Sequence, residues 1–453
     1  MTTLAGGLDE RTEGRRLVEA TEGFPTIATR RVASVDALRG LTIFLMVFVN
    51  DLGPAAPSWL HHIDPPFADG MTVADVVFPM FLFIVGVSIP LAFERARQLA
   101  ASRWSRVRHV LGRTASLLLM GVIELNHGDD QRLGGRTWGL LAFTCLILAW
   151  CSISRDPGWR RKVFVGLKAV GVVGLVALLA IFRRSPVATE TPFFGPVEHW
   201  VWLQTGWWGI LGLIGWAYLT VSLLNLVLGS RREWLMAAMA MLMALHLATH
   251  NRELFDHVGD KIWLGSTRVA FEWLAGKVQR VQSYISLGDA TGSLASITMA
   301  GCLLGSILRR DSPVATHKER IAWASTFVVG LLIAGAMTDT FEGINKVGAT
   351  PTWCFWSAAL ASTVWIILYL IMDVAGFQGW SVVIRPAGAN PLLAYFLHPI
   401  TVWLVGLGGF GSAVLGYSGS KDPWVVVGGS AAMALFVCIA AGLLARVGLR
   451  VRL

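Results

Sequence analysis

Long runs of apolar residues, separated by short polar segments, repeat along almost the whole chain after residue 34. A helix needs about 20 mostly apolar residues to cross the hydrocarbon core of a bilayer. The runs predict an all-α polytopic membrane protein with about twelve transmembrane helices, or eleven, because several runs are short or interrupted by glycine. The predicted spans are 36–52, 72–93, 108–126, 137–154, 163–182, 207–229, 234–249, 290–308, 321–338, 353–374, 390–408 and 424–446.

The composition supports this interpretation. Of the 453 residues, 54% are apolar and only 15% are charged, and the mean hydropathy is +0.59. Soluble proteins carry about 25% charged residues, so too little charge is present here to cover a water-exposed surface. Soluble enzymes and nucleic-acid-binding proteins are therefore excluded. The five cysteines lie in or beside apolar runs without a CxxC pattern, so we expect buried thiols rather than disulfides.

The distribution of basic residues predicts the domain organisation and the orientation. We expect a polar cytoplasmic tail over 1–34 and a single transmembrane domain over 35–453. With the N-terminus in the cytoplasm, cytoplasmic segments hold 25 Lys and Arg, and the segments on the other side hold 11. The positive-inside rule requires this asymmetry. Both termini are then cytoplasmic, and the loops at 53–71, 183–206 and 250–289 lie on the other side. The expected location is a bacterial inner membrane, in contact with lipid, where these loops are periplasmic.

The two longer periplasmic loops are rich in aromatic residues, including four of the 20 tryptophans. Trp200, Trp202, Trp263 and Trp273 lie there. Tryptophan favours the membrane–water interface, so an interfacial aromatic belt accounts for these residues. A platform on which sugar rings stack is the alternative interpretation.

The first span carries polar residues at both of its ends. Arg39 and Asn50 are eleven residues apart, which places them on one helix face about 16 Å from each other. Asp36 lies one turn before Arg39. Polar residues within the membrane tend to face the bundle interior and to mark functional paths. For Asp36 and Arg39, a local ion pair that anchors the helix is the alternative.

The loop after this span contains two adjacent histidines, His61 and His62, and no Lys or Arg. Histidine is the side chain best suited to transfer a proton at neutral pH. Asp51 and Asp75, which lie on either side of the loop, are carboxylates able to orient an imidazole. The loop is therefore a candidate catalytic segment, although exposed loop histidines are often inert. The ligand spacing does not predict a metal site.

Basic and amide side chains lie at other membrane edges. The segment 94–114 holds six arginines, including Arg106 and Arg108. Arginine binds phosphate through bidentate hydrogen bonds, although control of topology accounts for the cluster equally well.

Two later segments also carry polar residues where a span begins or ends. Asn345 and Lys346 lie in EGINKVGATPTW, a neutral and turn-like stretch. In RPAGANPLLAYFLHP, Asn390 is a predicted helix N-cap, and His398 lies about two turns further along. A lone histidine in a span is usually hydrogen-bonded scaffolding.

The segments RVASVDALRGLTIFLMVFVN and GMTVADVVFPMFLFIVGVSIP, joined by a loop that contains histidine, resemble a known family. It is the transmembrane acyltransferase family of heparan-alpha-glucosaminide N-acetyltransferase and its bacterial relatives. GINKVGATPTW and GANPLLAYFLH are similar to it as well. The resemblance is specific over 31–90 and 341–399, whereas at 139–143 this chain reads GLLAF in place of the family's GVLQR.

The resemblance implies transfer of acetyl from cytoplasmic acetyl-CoA to the amino group of a glucosamine-type sugar on the far side of the membrane. The family's active histidine then falls on His61 or His62, with His62 preferred, and its neighbouring asparagine falls on Asn50. Acetyl-CoA is the implied co-substrate and an amino sugar the implied acceptor. We expect no metal, and a homodimer is left open.

The residues themselves suit this chemistry. Amine acetylation needs a base for the amine proton and a hydrogen-bond donor for the thioester oxygen, roles that fit His62 and Asn50. The further candidates are His61 and Asp75 for catalysis, Asp36, Arg39, Arg106, Arg108 and Asn390 for cofactor binding, and Asp51, Asn345, Lys346 and His398 for substrate binding. The alternative is a secondary transporter of an amino sugar, typically built from two related halves, and the sequence has no convincing internal repeat.

Overall fold

The computed structural model describes residues 32–153, 158–191, 195–250, 282 and 284–453. It is 74% helical, which confirms the predicted helical class. In chain order the helices are α1 (Ala33–Asp51), α2 (Val73–Gln98), α3 (Arg103–Asn126), α4 (Gly135–Ala149), α5 (Trp159–Ile181), α6 (Gly209–Leu228), α7 (Arg232–His250), α8 (Leu294–Ile307), α9 (His317–Glu342), α10 (Pro351–Tyr369), α11 (Arg385–Ala389), α12 (Pro391–Leu407), α13 (Gly411–Leu415) and α14 (Pro423–Arg446). Two turns of π-helix lie at Asp289–Ser293 and Leu370–Val374, and 3-10 turns at Ser58–Leu60, Gly379–Val382 and Gly416–Gly419.

Each of the twelve predicted spans coincides with a helix. Among the described residues, eight helical segments are long and apolar enough to cross a membrane. α4 and α12 are apolar but shorter, with 15 and 17 residues. α3 and α7 begin with charged residues such as Arg103 and Arg232, which lowers their mean hydropathy. The number of crossings and the orientation of the termini stay predictions.

Part of the sequence analysis falls outside the described residues. The residues concerned are 1–31 of the predicted tail, Trp263, Trp273 and most of the loop over 250–289.

The predicted loop over 183–206 contains a small sheet that the sequence analysis missed. Strand β1 (Val187–Thr191) pairs antiparallel with β2 (Gly195–Trp200). The indole of Trp200 donates to the carbonyl of Leu203 at 2.8 Å, and the indole of Trp202 donates to the carbonyl of Leu179 at 2.8 Å. Both N–H groups are therefore bound by nearby backbone, and the interfacial belt and the sugar platform both stay predictions.

Glycines allow the central helices to approach closely. A Cβ on Gly86 of α2 would lie 1.9 Å from the carbonyl oxygen of Thr298, and one on Gly301 of α8 would lie 1.9 Å from that of Phe83. Small residues at spacings of four are typical of helix interfaces in membranes, because apolar burial gives little drive to associate there. This contact holds α2, whose first turn carries Asp75, against the centre of the bundle.

Candidate active site

The loop between α1 and α2 brings His62 onto the first turn of α2. Oδ1 of Asp75 lies 2.8 Å from Nδ1 of His62. The other oxygen, Oδ2, accepts from the N–H of Ile63 at 3.1 Å and from the N–H and hydroxyl of Thr72 at 3.1 and 3.0 Å. An ionised carboxylate only accepts hydrogen bonds, so Nδ1 of His62 carries the proton. In the neutral ring, Nε2 of His62 then holds the lone pair, and Nζ of Lys346 lies 3.5 Å from it.

The two members of this pair differ in their access to solvent. The His62 side chain is 54% exposed, whereas that of Asp75 is 2% exposed. The carboxylate is shielded and acts on other groups through the imidazole. A base oriented by a buried third group is the arrangement used in proton-transfer catalysis.

Lys346, on the segment between α9 and α10, reaches the same pair. Its Nζ lies 3.1 Å from Nδ1 and 3.5 Å from Nε2 of His62, and 3.7 Å from Oδ1 of Asp75. Burial lowers the pKa of Lys346 below its ordinary value of 10.5, and the Asp75 carboxylate partly offsets that effect. The site therefore combines an imidazole, a carboxylate and an amine that releases its proton more easily than a free lysine.

His62 and Lys346 lie at one end of a cleft with ≈ 560 Å³ of empty space, including its open mouth. Asn50 borders this cleft and is exposed at the C-terminal end of α1. Most of the other lining residues are apolar, among them Met46, Val49, Phe78, Phe81, Ile210 and Ile214. A mostly apolar cleft with a few convergent polar groups is typical of a small-molecule site.

A second cleft of ≈ 490 Å³ adjoins the first, and Met46, Asn50 and Tyr395 border both. Glu124 of α3 lines it. The hydroxyl of Tyr395 donates to Oε1 of Glu124, and the N–H of Leu211 lies 3.5 Å from Oε2. Asn50 and Tyr395 thus stand between two chambers, one containing His62 and the other a carboxylate.

Aromatic side chains line part of the second cleft, among them His127 and Phe143. The ring of His127 lies 5.7 Å from that of Phe143 and 5.4 Å from that of Trp403, measured between centroids. Phe143 is the last residue of GLLAF, the segment in which the sequence departs from the family motif. The wall is therefore aromatic and apolar where the motif has arginine.

His398 and Asp51 form a second histidine–carboxylate pair, with 3.1 Å between Nε2 and Oδ1. The Tyr417 hydroxyl donates to Oδ2 of Asp51 at 2.5 Å. Both side chains are largely enclosed, at 14% exposure for His398 and 8% for Asp51. This pair connects α1 to α12 and to the turn before α14.

Two predicted cofactor residues lie at the other end of α1 from Asn50. Arg39 is 3.6 Å from Asp36 and donates to the hydroxyl of Ser88 at 2.8 Å. The contacts match the local ion pair of the alternative interpretation. Neither residue borders the two clefts.

The same holds for Arg106 and Arg108, which lie in the first two turns of α3. The structure therefore does not join the arginine cluster of 94–114 to the cleft that contains His62. A contribution of these arginines to binding stays a prediction.

Asn390 occupies the predicted N-cap position of α12, but its side chain does not cap the helix. Nδ2 donates to the carbonyl of Leu449 at 3.2 Å, and Oδ1 accepts from the N–H of Val451 at 3.0 Å. The capping prediction is wrong because the C-terminal segment satisfies both ends of the amide.

Asn345 and His61 are placed to shape the loop rather than to border the cleft. Nδ2 of Asn345 donates to the carbonyls of Pro66 and Ala68 at 3.0 and 3.1 Å. The carbonyl of His61 accepts from the hydroxyl of Thr72, and its ring does not line the cleft. Of the two adjacent histidines, His62 is the one at the cleft.

Glu124 and Tyr395 were not singled out from the sequence. A signal was present for Glu124, which is a lone acid near the end of an apolar run, because intramembrane carboxylates are often functional. Tyr395 lies within the GANPLLAYFLH motif, but nothing local indicates that its hydroxyl reaches another helix.

Comparison with known proteins shows which family the chain belongs to. A family model described as a domain of unknown function (DUF5009) matches residues 31–258, just over half of the chain. The chain belongs to the DUF5009 family. This DUF5009 protein is 36% identical over 383 residues to heparan-alpha-glucosaminide N-acetyltransferase of Mus musculus, which is 82% of this chain and 54% of that protein. It is 36% identical over 108 residues to the Homo sapiens protein of the same name, 24% of this chain and 15% of that one.

These matches confirm the resemblance that the motifs carried. The DUF5009 chain spans about half the length of the mouse relative. Its apolar helices and its relatives together identify a multi-pass membrane protein.

Proposed function

We propose that this protein is a membrane acetyltransferase that moves an acetyl group from acetyl-CoA to the amino group of a glucosamine-type sugar. The observation that carries the proposal is the contact of 2.8 Å between Nδ1 of His62 and the buried carboxylate of Asp75, at a ring that lines the cleft. In the neutral tautomer that suits this contact, Nε2 holds the lone pair. The relatives are named for N-acetyl transfer, which supports the reaction class.

His62 acts as the general base. The acceptor amine forms a bond to the acetyl carbonyl carbon, the carbon–sulfur bond breaks, and the nitrogen loses a proton to Nε2 of His62. Asp75 holds the imidazole in the required tautomer and stabilises the imidazolium that forms. The proton then passes to the departing thiolate or to water, which restores the neutral ring.

Asn50 and Lys346 supply the hydrogen-bond donors. Both border the cleft that His62 borders. The Asn50 amide donates to the thioester carbonyl oxygen, where negative charge develops as the bond to nitrogen forms. Lys346 balances the Asp75 carboxylate and donates to hydroxyl groups of the sugar.

The proposed orientation rests on the count of basic residues, and contacts between segments agree with the grouping that the count predicts. On one face, the N–H groups of Ala33 and Ser34 donate to Asp373 at 3.0 and 2.9 Å, and Ser152 donates to the carbonyl of Arg450 at 2.7 Å. The positive-inside count assigns these segments to the cytoplasm. The His62 loop then faces the periplasm of a bacterial inner membrane, where the acceptor sugar binds.

The reaction is testable with purified full-length protein in proteoliposomes. With radiolabelled acetyl-CoA on one side and glucosamine on the other, we expect N-acetylglucosamine and free CoA in equal amounts. If glucosamine crosses the membrane unmodified and no CoA is released, the proposal is wrong and the transporter alternative holds. A stable acetyl group on His62 in acid-quenched protein would replace direct transfer by a two-step route through the same residue.

A further inference from the structure

A second group of histidines and carboxylates lies outside the cleft. His246 and His250 are on the last turns of α7, Asp289 begins the π-helical turn before α8, and Glu342 ends α9. None of the four borders either cleft. Single π-helical turns often occur at functional sites, and this one presents Asp289 to both histidines.

The spacing of four residues stacks the two imidazoles on one face of α7, with ring centroids 4.2 Å apart. Nδ1 of His250 lies 3.1 Å from the carbonyl oxygen of His246. Because a carbonyl only accepts, Nδ1 of His250 carries the proton and Nε2 has a lone pair. That lone pair faces Oδ1 of Asp289 at 3.4 Å, so two acceptors point at each other.

His246 has the same difficulty in a fully buried position. Its Nδ1 lies 3.2 Å from Oδ1 of Asp289 and 3.3 Å from the carbonyl oxygen of Gly288, and its Nε2 lies 3.5 Å from Oε2 of Glu342. A neutral imidazole has one N–H for these two carboxylates. Among the described residues, Nε2 of His246 and Oδ1 of Asp289 are buried atoms without a hydrogen-bond partner. Buried polar atoms in native proteins usually have a partner, so these two call for a water molecule or an ion that satisfies them.

The distances fit a metal ion. A tetrahedral Zn²⁺ with bonds of about 2.0–2.1 Å holds its ligand atoms about 3.3–3.4 Å apart. The separations of 3.2 and 3.4 Å from Asp289 Oδ1 to the two imidazole nitrogens are close to this edge length. One ligand atom from each of His246, His250 and Asp289 lies within 4.8 Å of the others. Glu342 then occupies the position of the carboxylate that usually orients a metal-bound histidine.

We propose that His246, His250 and Asp289 bind a first-row divalent cation of the Zn²⁺ type, with Glu342 orienting His246. Two imidazoles and one carboxylate suit such an ion, whereas Ca²⁺ and Mg²⁺ prefer oxygen ligands throughout. The sequence analysis expected no metal. It could not indicate this site, because a long segment separates Asp289 from the two histidines. The ion connects the end of α7 to the turn that begins α8.

The test uses metal alone and the full-length protein in detergent after chelation and dialysis. By calorimetry we expect one Zn²⁺ per chain, and with Co²⁺ an intense visible absorption typical of low coordination number. His250→Ala and Asp289→Asn should each weaken Zn²⁺ binding by more than about 100-fold, since loss of an outer partner alone costs about 10–100-fold. His199→Ala, which removes an exposed histidine of β2, should leave binding unchanged.

A proton is the competing occupant of the site. If doubly protonated His246 satisfies both carboxylates, thermal stability will change with pH through the histidine range identically with and without Zn²⁺. That result, or equal Zn²⁺ affinity in wild type and in the His250→Ala protein, would overturn the proposal. Zn²⁺ binding and thermal stability are both measured without acetyl transfer, so these tests of the metal site are independent of the proposed function.

Discussion

Two histidine–carboxylate pairs lie near the C-terminal end of α1, and they are built from the same groups at similar distances. His62 and Asp75 are 2.8 Å apart, and His398 and Asp51 are 3.1 Å apart. They differ in access: the His62 side chain is 54% exposed, whereas that of His398 is 14% exposed. Each ring lines one of the two clefts, but only that of His62 is more than half exposed.

The difference indicates that the partners around a histidine–carboxylate pair decide whether it stabilises the fold or orients an accessible imidazole. The second oxygen of Asp51 accepts a hydrogen bond from the hydroxyl of Tyr417, which belongs to a distant turn. The second oxygen of Asp75 accepts from the N–H groups of Ile63 and Thr72, in the loop that carries His62 itself. The Asp51 pair therefore joins separate helices, while the Asp75 pair fixes one imidazole in place.

The largest expected effect concerns His62. His62→Ala should lower kcat for acetyl transfer by about 10²–10⁴-fold, the usual contribution of general acid–base catalysis. His61→Ala is the matched control and should be mild, because its ring does not line the cleft. Full turnover in both single variants and in the double variant would remove the loop histidines from catalysis.

Asp75→Asn should approach the loss seen for His62→Ala. The new amide can donate to Nδ1, which would place the ring proton on Nε2 and abolish the base; the analogous change in a catalytic triad costs about 10⁴-fold. Nitrogen-15 NMR of labelled histidine reports the tautomer directly. An unchanged tautomer combined with unchanged kcat would contradict the orienting role.

Asn50→Ala should reduce kcat by about 10²–10³-fold with little change in KM, if its amide stabilises charge that develops only in the transition state. Steady-state kinetics with saturating acetyl-CoA separate the two parameters. A rise in KM alone would mean that Asn50 binds the ground state instead.

His398→Ala should lower the stability of the protein more than its turnover, the opposite of what we expect for His62→Ala. Removing a partner of the enclosed Asp51 carboxylate should lower the free energy of unfolding by about 1–3 kcal/mol, measured as a fall in Tm in detergent. Its kcat should fall far less than that of the His62 variant. A large loss of kcat at unchanged Tm would erase the distinction between the two pairs.

The smallest effect is the pH dependence of stability at Lys346. Burial lowers the pKa of Lys346 in the folded protein, so in the alkaline range the unfolded chain binds more protons. Stability due to this residue therefore rises with pH between the folded pKa and the ordinary value. The Tm of wild type relative to Lys346→Met should increase as pH rises through that range, and a decrease would contradict it.

The sequence predicted the helices well, because apolar run length is a local property. It also placed His62, Asp75 and Lys346 among the candidates, although Asp75 and Lys346 lie 271 positions apart in the numbering. It failed where a contact depends on packing. The Asn390 amide serves the C-terminal segment, and the hydroxyl of Tyr395 meets Glu124, because helices distant in sequence are neighbours. No local pattern indicates such pairings.

Met46, Asn50 and Tyr395 border both clefts and lie where the two adjoin. A transferase must keep water from its thioester, since hydrolysis would waste the acetyl group without making product. Trimming Tyr395 to alanine would remove the ring between the chambers and connect the carboxylate side to the imidazole side. We expect the resulting enzyme to leak, releasing acetate and CoA in the absence of any sugar. In the proposed transferase, the Tyr395 ring would thus limit hydrolysis of the acetyl donor.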